Sequence, residues 1–304
     1  MSRPVDVVRA QPDASQPVWT PVACGLCGAD QPELILVDRV PRRGGGDAAT
    51  WDFPVVRCGR CGFVYVTPRG SGALFNNLSG GAARRDAAVA NRPIYRAGLL
   101  RLKRLGLAPG ARTLDLGCAR GDFLAYAAQA GLPAEGLDLH PGLAQEARGR
   151  GFTVHTGDLR DLAASLGPSF DLVTLWDVIE HVDDPVAVLA ACRRVLRPGG
   201  LLLFHTGNAA FQVPKARWLY RLRPNGGPYL IPYQHLSHFD PASARRALAA
   251  AGLEPLWVGS LGTLHYRQTW KRLVMGGINL LGALAPRLGL PLMSNAMGAV
   301  GRRA

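Results

Sequence analysis

The chain is poor in lysine and, toward its end, in acid. Lysine occurs only at 103, 215 and 271, so the net charge of +13 is carried almost wholly by arginine. No aspartate or glutamate follows Glu254. Basic residues never run to a block of about five. That pattern argues against a nucleic-acid partner and for an arginine-rich background composition. No apolar run reaches the ~20 uninterrupted residues a membrane span needs. The best stretch, Leu273 to Met293, is broken by Pro286, Arg287 and Pro291. The first twenty residues have neither the apolar core of a signal peptide nor the basic amphipathy of a transit peptide. They read as a flexible leader, and a cytoplasmic enzyme is the expected class. Hydrophobic residues make up 48% of the 304, enough for a sizeable core.

Cysteine is also scarce, and its placement is therefore informative. Of the six, Cys24, Cys27, Cys58 and Cys61 form two matched C-x-x-C-G units. Each unit puts two thiolates on a tight turn, and the following glycine tolerates the left-handed backbone such a turn needs. Four thiolates suit tetrahedral Zn²⁺ with no open position, which is the arrangement of a structural site. About fifty residues bury little apolar area alone, so the metal would supply folding free energy. Leu34 to Val37 and Asp52 to Val56 are the expected strands between the knuckles. The Gly-rich stretch from Arg42 to Asp47 is the expected hairpin tip. A redox dithiol is the weaker alternative, because redox motifs occur once and follow a strand. Cys192 reads as a small core residue.

From Thr113 onward, strand and helix signals alternate. Strands are expected at Thr113 to Leu116, Ala134 to Leu139, Phe152 to His155, Phe170 to Leu175 and Leu201 to His205. Helices are expected at Phe123 to Ala130, Leu143 to Arg150 and Pro185 to Leu196. This order predicts an α/β fold with a doubly wound, mostly parallel, Rossmann-like sheet. In such sheets ligands bind at the carboxyl ends of the strands.

The string from Leu114 to Phe123, LDLGCARGDF, holds the central motif. A strand ends, glycines 117 and 121 let the backbone approach a ligand, and a helix N-terminus follows. A dinucleotide fingerprint would need glycine at 119 and 122, where this chain has Ala119 and Asp122. Asp115 at the strand end also suits a cationic amino-acid ligand better than a pyrophosphate. Asp138, ending the second strand, is placed to accept from ribose hydroxyls. Gly157-Asp158-Leu159, after the third strand, offers an acceptor for an adenine amine.

With Leu175 to Val182 (LWDVIEHV) and Asp184-Pro185, these residues resemble the class I S-adenosylmethionine-dependent methyltransferases. The resemblance runs from about Leu114 to Leu253. It implies that Asp115, Gly117, Cys118 and Gly121 line the methionine end of the cofactor. Asp138 and Leu139 would then bind ribose, Asp158 and Leu159 adenine, and Trp176 would flank the site. Where the family often has glycine, this chain has Ala119, which should shift the loop slightly. The cysteine units extend the resemblance to a bacterial subgroup in which a zinc ribbon precedes the methyltransferase domain. Members of that subgroup act on deoxysugars, natural products or surface glycans.

Methyl transfer to a protonated nucleophile needs a general base, and histidine suits neutral pH. Two clusters qualify. Glu180-His181 follows the fourth strand, and Tyr233, Gln234 and His235 lie in a loop before a helix near Pro241. His235, Leu236 and Phe239 resemble the family's His-Leu-x-x-Phe string. Sugar carbon-methylating relatives have Glu where this chain has Gln234. Local roles, capping for Glu180 and backbone bonding for the histidines, are the alternative at each position.

The expected organisation is a leader over 1–20, a zinc ribbon over 21–70 and a linker turning helical over 71–92. A methyltransferase domain follows over 93–260, with a lid-like substrate insertion over 206–240. A basic, apolar segment over 261–304 ends the chain. That last segment either lies on an anionic membrane surface or lipid-linked substrate, or packs on the protein or on a second copy in an oligomer. The expected function is methyl transfer to a small molecule such as a sugar or specialised metabolite. The rivals are an RNA methyltransferase gripping RNA through its ribbon and a non-catalytic docking protein.

Overall fold

The computed structural model describes residues 18–41, 50–70, 87–224, 226–261 and 294–304. The expected hairpin tip at Arg42 to Asp47 lies outside the described residues, as do most of the leader and of the linker. The first elements are β1 (Trp19–Thr20), β2 (Pro32–Pro41), β3 (Thr50–Cys58), β4 (Val64–Val66) and β5 (Arg69–Gly70). Helix α1 (Ala87–Arg104) then leads into the alternating region. There β6 (Thr113–Leu116), α2 (Asp122–Gln129), β7 (Ala134–Asp138), α3 (Pro141–Gly149), β8 (Val154–Thr156) and α4 (Leu159–Leu166) follow in order. Next come β9 (Phe170–Trp176), α5 (Pro185–Val195), β10 (Leu196–Gly207) and α6 (Ala209–Leu222). The chain closes with β11 (Ser237–His238), α7 (Pro241–Ala250), β12 (Leu253–Gly259) and β13 (Ala296–Arg303).

Local chemistry explains the helix starts. His140, Asp158, Asp184, Asn208 and Asp240 each cap a helix with a side-chain acceptor, and Pro141, Pro185 and Pro241 occupy the first turn. Caps followed by proline set both the free amides and φ where a helix begins. The helices cover a seven-stranded sheet of order β12-β13-β10-β9-β6-β7-β8. The five central and edge strands from β8 to β10 are parallel. Their apolar residues are buried on both faces, as parallel sheets require.

The end of the chain decides between two readings that the sequence left open. Ala296–Arg303 is strand β13, inserted antiparallel between β10 and β12. Its residues from Ala296 to Gly301 are buried. This stretch therefore belongs to the sheet and not to a lipid-facing segment, and the methyltransferase body extends past residue 260. Gly298 and Gly301 are needed there, since a Cβ at 298 would meet Leu261 Cδ1 at 2.3 Å and one at 301 would meet Leu248 Cδ2 at 2.9 Å. Residues 262–293, including the Leu273–Met293 stretch, lie outside the described residues. No described helix is long and apolar enough to cross a membrane.

The ribbon is not a separate lobe. Its four-stranded sheet has the order β11-β4-β3-β2, so its edge strand β11 comes from the far end of the insertion. Ser237 pairs with Tyr65 and His238 with Val64. Cys24, Val56, Phe63 and Tyr65 share one core with Ile179, Leu189, Phe204 and Phe239. Arg246 donates to Cys61 O at 2.8 Å, and Arg69 to Asp183 O at 2.9 Å. Helix α6 packs Val213 and Ala216 onto the other face of the ribbon sheet, against Val40, Phe53 and Val64.

Candidate active site and metal centre

The four cysteine thiols converge as the spacing predicts. Cys24 Sγ lies 3.6 Å from Cys61 Sγ, and Cys27 Sγ 3.6 Å from Cys58 Sγ. All four lie within 4.8 Å of one another. A Zn–S bond of about 2.3 Å gives tetrahedral edges of about 3.8 Å, so the quartet fits a zinc ion. Each knuckle closes on a left-handed glycine, Gly28 at φ 71° and Gly62 at φ 75°. Their amides donate back to Cys24 O and Cys58 O at 2.8 Å. Burial pushes the Cys24 thiol well above its ordinary range. At Cys58 burial also pushes upward, but the amides of Cys61 and Arg60 outweigh it and bring the thiol to about 7. A thiol that ionises near neutrality is a ready metal ligand.

The second site opens at the carboxyl ends of β6, β7 and β8. A cavity of about 470 Å³ is lined by Gly117, Asp138, Leu139, Asp158, Leu159 and His181, among others. Gly117 stands at φ 72°, and a Cβ there would meet Val178 Cγ2 at 2.5 Å. Only glycine lets the chain turn this close to the cavity wall. Ala119 takes the same left-handed region at φ 47°. An alanine there carries a strain of about 1 kcal/mol. The loop is held by Asp138, whose Oδ2 accepts from the Ala119 amide and whose Oδ1 accepts from the His140 amide, both at 2.8 Å. The alanine thus keeps a glycine-like turn.

The remaining cofactor-site expectations divide. Asp115 is buried beneath the loop and accepts from Thr174 Oγ1 at 2.7 Å. Burial, with Asp138 nearby, pushes its carboxyl up to about 8. Asp158 caps α4 and is paired with Arg160 at 2.6 Å, which holds it below the usual carboxylate range. Cys118 turns its buried sulfur toward Gly136, beside Leu124 and Ala144. Gly121 packs on Phe152. Neither lines the cavity. Trp176 does not line it either. Its ring sits among Tyr95, Phe123 and His205, over Gly98.

Next to the cavity lies a polar cluster built from two distant segments. The rings of His181 and His235 are 4.9 Å apart. The Gln234 carbonyl lies 2.9 Å from His181 Nδ1, and the amides of Leu236 and Ser237 donate to Glu180 O. The two sequence candidates are therefore one site. Glu180 is buried with Oε2 unpartnered, and burial together with Asp177 pushes its carboxyl up to about 8. Burial lowers both imidazoles, His235 to about 4 with the help of the His181 charge. Burial thus favours the neutral form of each imidazole. Donor atoms of Glu180, His181 and His235 lie within 4.8 Å of one another, close enough to surround a cation. Tyr233 departs from expectation. It packs on the core between the ribbon and α6, and no hydrogen bond joins it to either imidazole.

Two pairings escaped the sequence reading. Asp177, at φ 54°, reaches His205 Nδ1 at 2.7 Å, from the neighbouring strand end. His205 ended an expected strand and gave no other signal. Asp38, fully buried in β2, accepts from the Tyr229 amide at 3.0 Å, the Leu230 amide at 2.7 Å and the Tyr220 hydroxyl. A carboxylate inside a strand pattern carries no sign of a partner some 190 residues away. The insertion is thereby tied to the ribbon by α6 and the following turn.

Residues 89–257 match the family model described as a methyltransferase domain. A ubiquinone biosynthesis O-methyltransferase of Xanthomonas oryzae pv. oryzae is 38% identical over 156 residues, covering 46% of this chain and 65% of that protein. The protein of the same description from Xanthomonas euvesicatoria pv. vesicatoria is 35% identical over 184 residues, covering 56% of this chain and 74% of that one. The solved magnesium protoporphyrin IX methyltransferase of Synechocystis PCC 6803 is 18% identical, with a TM-score of 0.49 over 74% of this chain and 90% of that chain. The match spans 65% of the length of the Xanthomonas oryzae relative. More than half of the chain, including the glycine turn, Asp138 and the Glu180-His181 pair, falls within the family model, and the chain belongs to the methyltransferase-domain family in its class I form.

Proposed function

We propose that the chain transfers a methyl group from S-adenosylmethionine to a hydroxyl of a small-molecule acceptor. S-adenosylmethionine, when bound, supplies an electrophilic methyl on a sulfonium. The glycine turn at Gly117 and the Asp138 carboxylate are the groups that would hold it. Asp138 would accept from the ribose while keeping the loop closed through Ala119. Leu139 and Leu159 would cover the base. Cys24, Cys27, Cys58 and Cys61 would hold one structural zinc with no open position, which keeps the metal out of the chemistry.

The observation that carries this reading is the imidazole pair beside the cavity. A neutral His235 or His181 can take the acceptor's hydroxyl proton as its oxygen bonds to the methyl carbon and the sulfonium–methyl bond breaks. The other imidazole and Glu180 shape the site. Positioning of acceptor and cofactor supplies much of the rate. The O-methyltransferase description of the Xanthomonas relatives favours oxygen over carbon as the nucleophile. Gln234, where sugar carbon-methylating relatives have Glu, points the same way. A sugar or other hydroxylated metabolite remains the acceptor class.

The test is methylation of a panel of hydroxylated acceptors, followed by mass spectrometry. Wild type should add 14 mass units, one CH₂ equivalent, to at least one of them. His235→Ala and His181→Ala should each lower turnover by about 10²-fold or more if that residue is the base, with cofactor affinity kept. Full turnover in both variants rejects the imidazole assignment. Absence of S-adenosylmethionine binding by calorimetry rejects the reading as a whole and favours a docking role.

A further inference from the structure

Arg217, Trp218 and Arg221 lie within the 206–240 segment expected to form a lid. The structure turns them elsewhere. They line a second cavity of about 680 Å³, between α6 and the outer edge of the ribbon sheet. It shares no lining residue with the cofactor cavity. Leu34 and Ile35 of β2 form the opposite wall, and Arg57 of β3 closes one end. The volume lies within the range of small-molecule pockets, about 300–1,000 Å³.

The charges in this cavity are unevenly committed. Asp240 also lines it, but its carboxylate accepts from the Ser243 amide and hydroxyl. Glu33 stands across the strand pair from Arg57, which donates to Gly62 O at 3.4 Å. Arg217 and Arg221 have no ion pair or hydrogen bond among the described residues. They stand four residues apart on one helix, where like charges repel. A counter-charge between them relieves that repulsion. Trp218 is 58% exposed and Leu34 56% exposed, both unusually open for their type. The cavity therefore presents two free guanidinium forks beside apolar surface.

We propose that this cavity binds a soluble organic phosphate. A phosphate monoester carries about −1.5 to −2 charges, matching two guanidiniums, and offers three oxygens to their paired donors. The planar or apolar body of the ligand lies on Trp218 and Leu34. The site is independent of methyl transfer and gives the ribbon a role besides holding the fold.

The test uses 4-nitrophenyl phosphate on zinc-loaded, full-length protein, with calorimetry for affinity and tryptophan quenching for location. Binding should be saturable and weaken with added salt. Arg217→Ala with Arg221→Ala should raise Kd by about tenfold or more, since charge-assisted bonds are lost. Trp218→Phe should remove most of the quench. 4-Nitrophenyl glucoside, with the same ring and no phosphate, should give no quench that depends on Trp218. S-adenosylmethionine affinity should stay unchanged in all variants, which separates failure here from failure of the methyltransferase reading. The proposal is overturned if the phosphate ester does not bind, or if it binds equally well to the double variant. It is also overturned if the arginine pair matters only for sedimentation with phosphatidylglycerol vesicles, which would reassign the groove to a membrane surface.

Discussion

Cys24, Cys27, Cys58 and Cys61 come from two short knuckles, and each knuckle is shaped by its own turn hydrogen bonds. The cavity beside the glycine turn instead draws its walls from residues spread between Leu116 and Leu236. The ribbon is local in its ligands but weak in its own core. The seven-stranded sheet is the reverse, with a large core and a site assembled at its strand ends. The difference matters because the imidazole pair straddles both. His181 follows β9 of the large sheet. His235 precedes β11, which is the fourth strand of the ribbon sheet. The ribbon therefore holds half of the proposed proton-transfer site, although no cysteine is near it in sequence.

Removing the metal should expose this division most clearly. Stripping zinc with a chelator, or Cys58→Ser, should unpair β4 from β11 and lower turnover by about 10²-fold or more, in line with loss of an aligned base. Cofactor affinity measured by calorimetry should change far less. Equal loss of both would show that the two sheets act as one unit. A second break comes from the other side. Asp138→Ala removes the carboxylate that closes the loop at Ala119 and should weaken S-adenosylmethionine by about tenfold or more, on the scale of charge-assisted bonds. Metal analysis of that variant should still find one zinc per chain.

Asp38 sharpens the comparison more gently. Asp38→Ala leaves two backbone amides and a tyrosine hydroxyl without their acceptor, at a cost of about 2–4 kcal/mol. Hydrogen exchange should rise around Tyr229 and Leu230, while β6 and β7 stay protected. The smallest expected effect is electrostatic and lies wholly in the large sheet. The Asp115 carboxyl titrates at about 8 when folded and near 3.8 when unfolded. The folded state holds the extra proton between those values. Its contribution is complete below the unfolded value and is lost as pH rises toward about 8. Asp115→Asn should therefore flatten the fall in thermal midpoint over that window, and an unchanged slope would refute the assignment.

Much of this was legible in residues alone. The five parallel strands, the glycine turn and the cysteine quartet depend on short windows, where spacing and apolar runs speak for themselves. β13 was not legible. Its sequence, AMGAVGRR, lacks β-branched weight because Gly298 and Gly301 must let Leu261 and Leu248 pack against the strand. It therefore read as part of a tail. Tyr233 and Trp176 were read as site residues from their neighbours in sequence, and their half-buried rings pack against the edges of two cores. Aromatic side chains bury large area wherever a core lies within reach.

Sequence by itself determined which groups could do chemistry here: four thiols, a loop able to cradle a ligand, and histidines with adjacent acids. Tertiary structure decided which of them meet. It placed β11 on the ribbon, joined His235 to His181, buried Asp38 under the insertion and set β13 between β10 and β12. Those pairings join segments tens to hundreds of residues apart, and they form because each buries apolar area or satisfies a buried polar group. No local pattern carries that information.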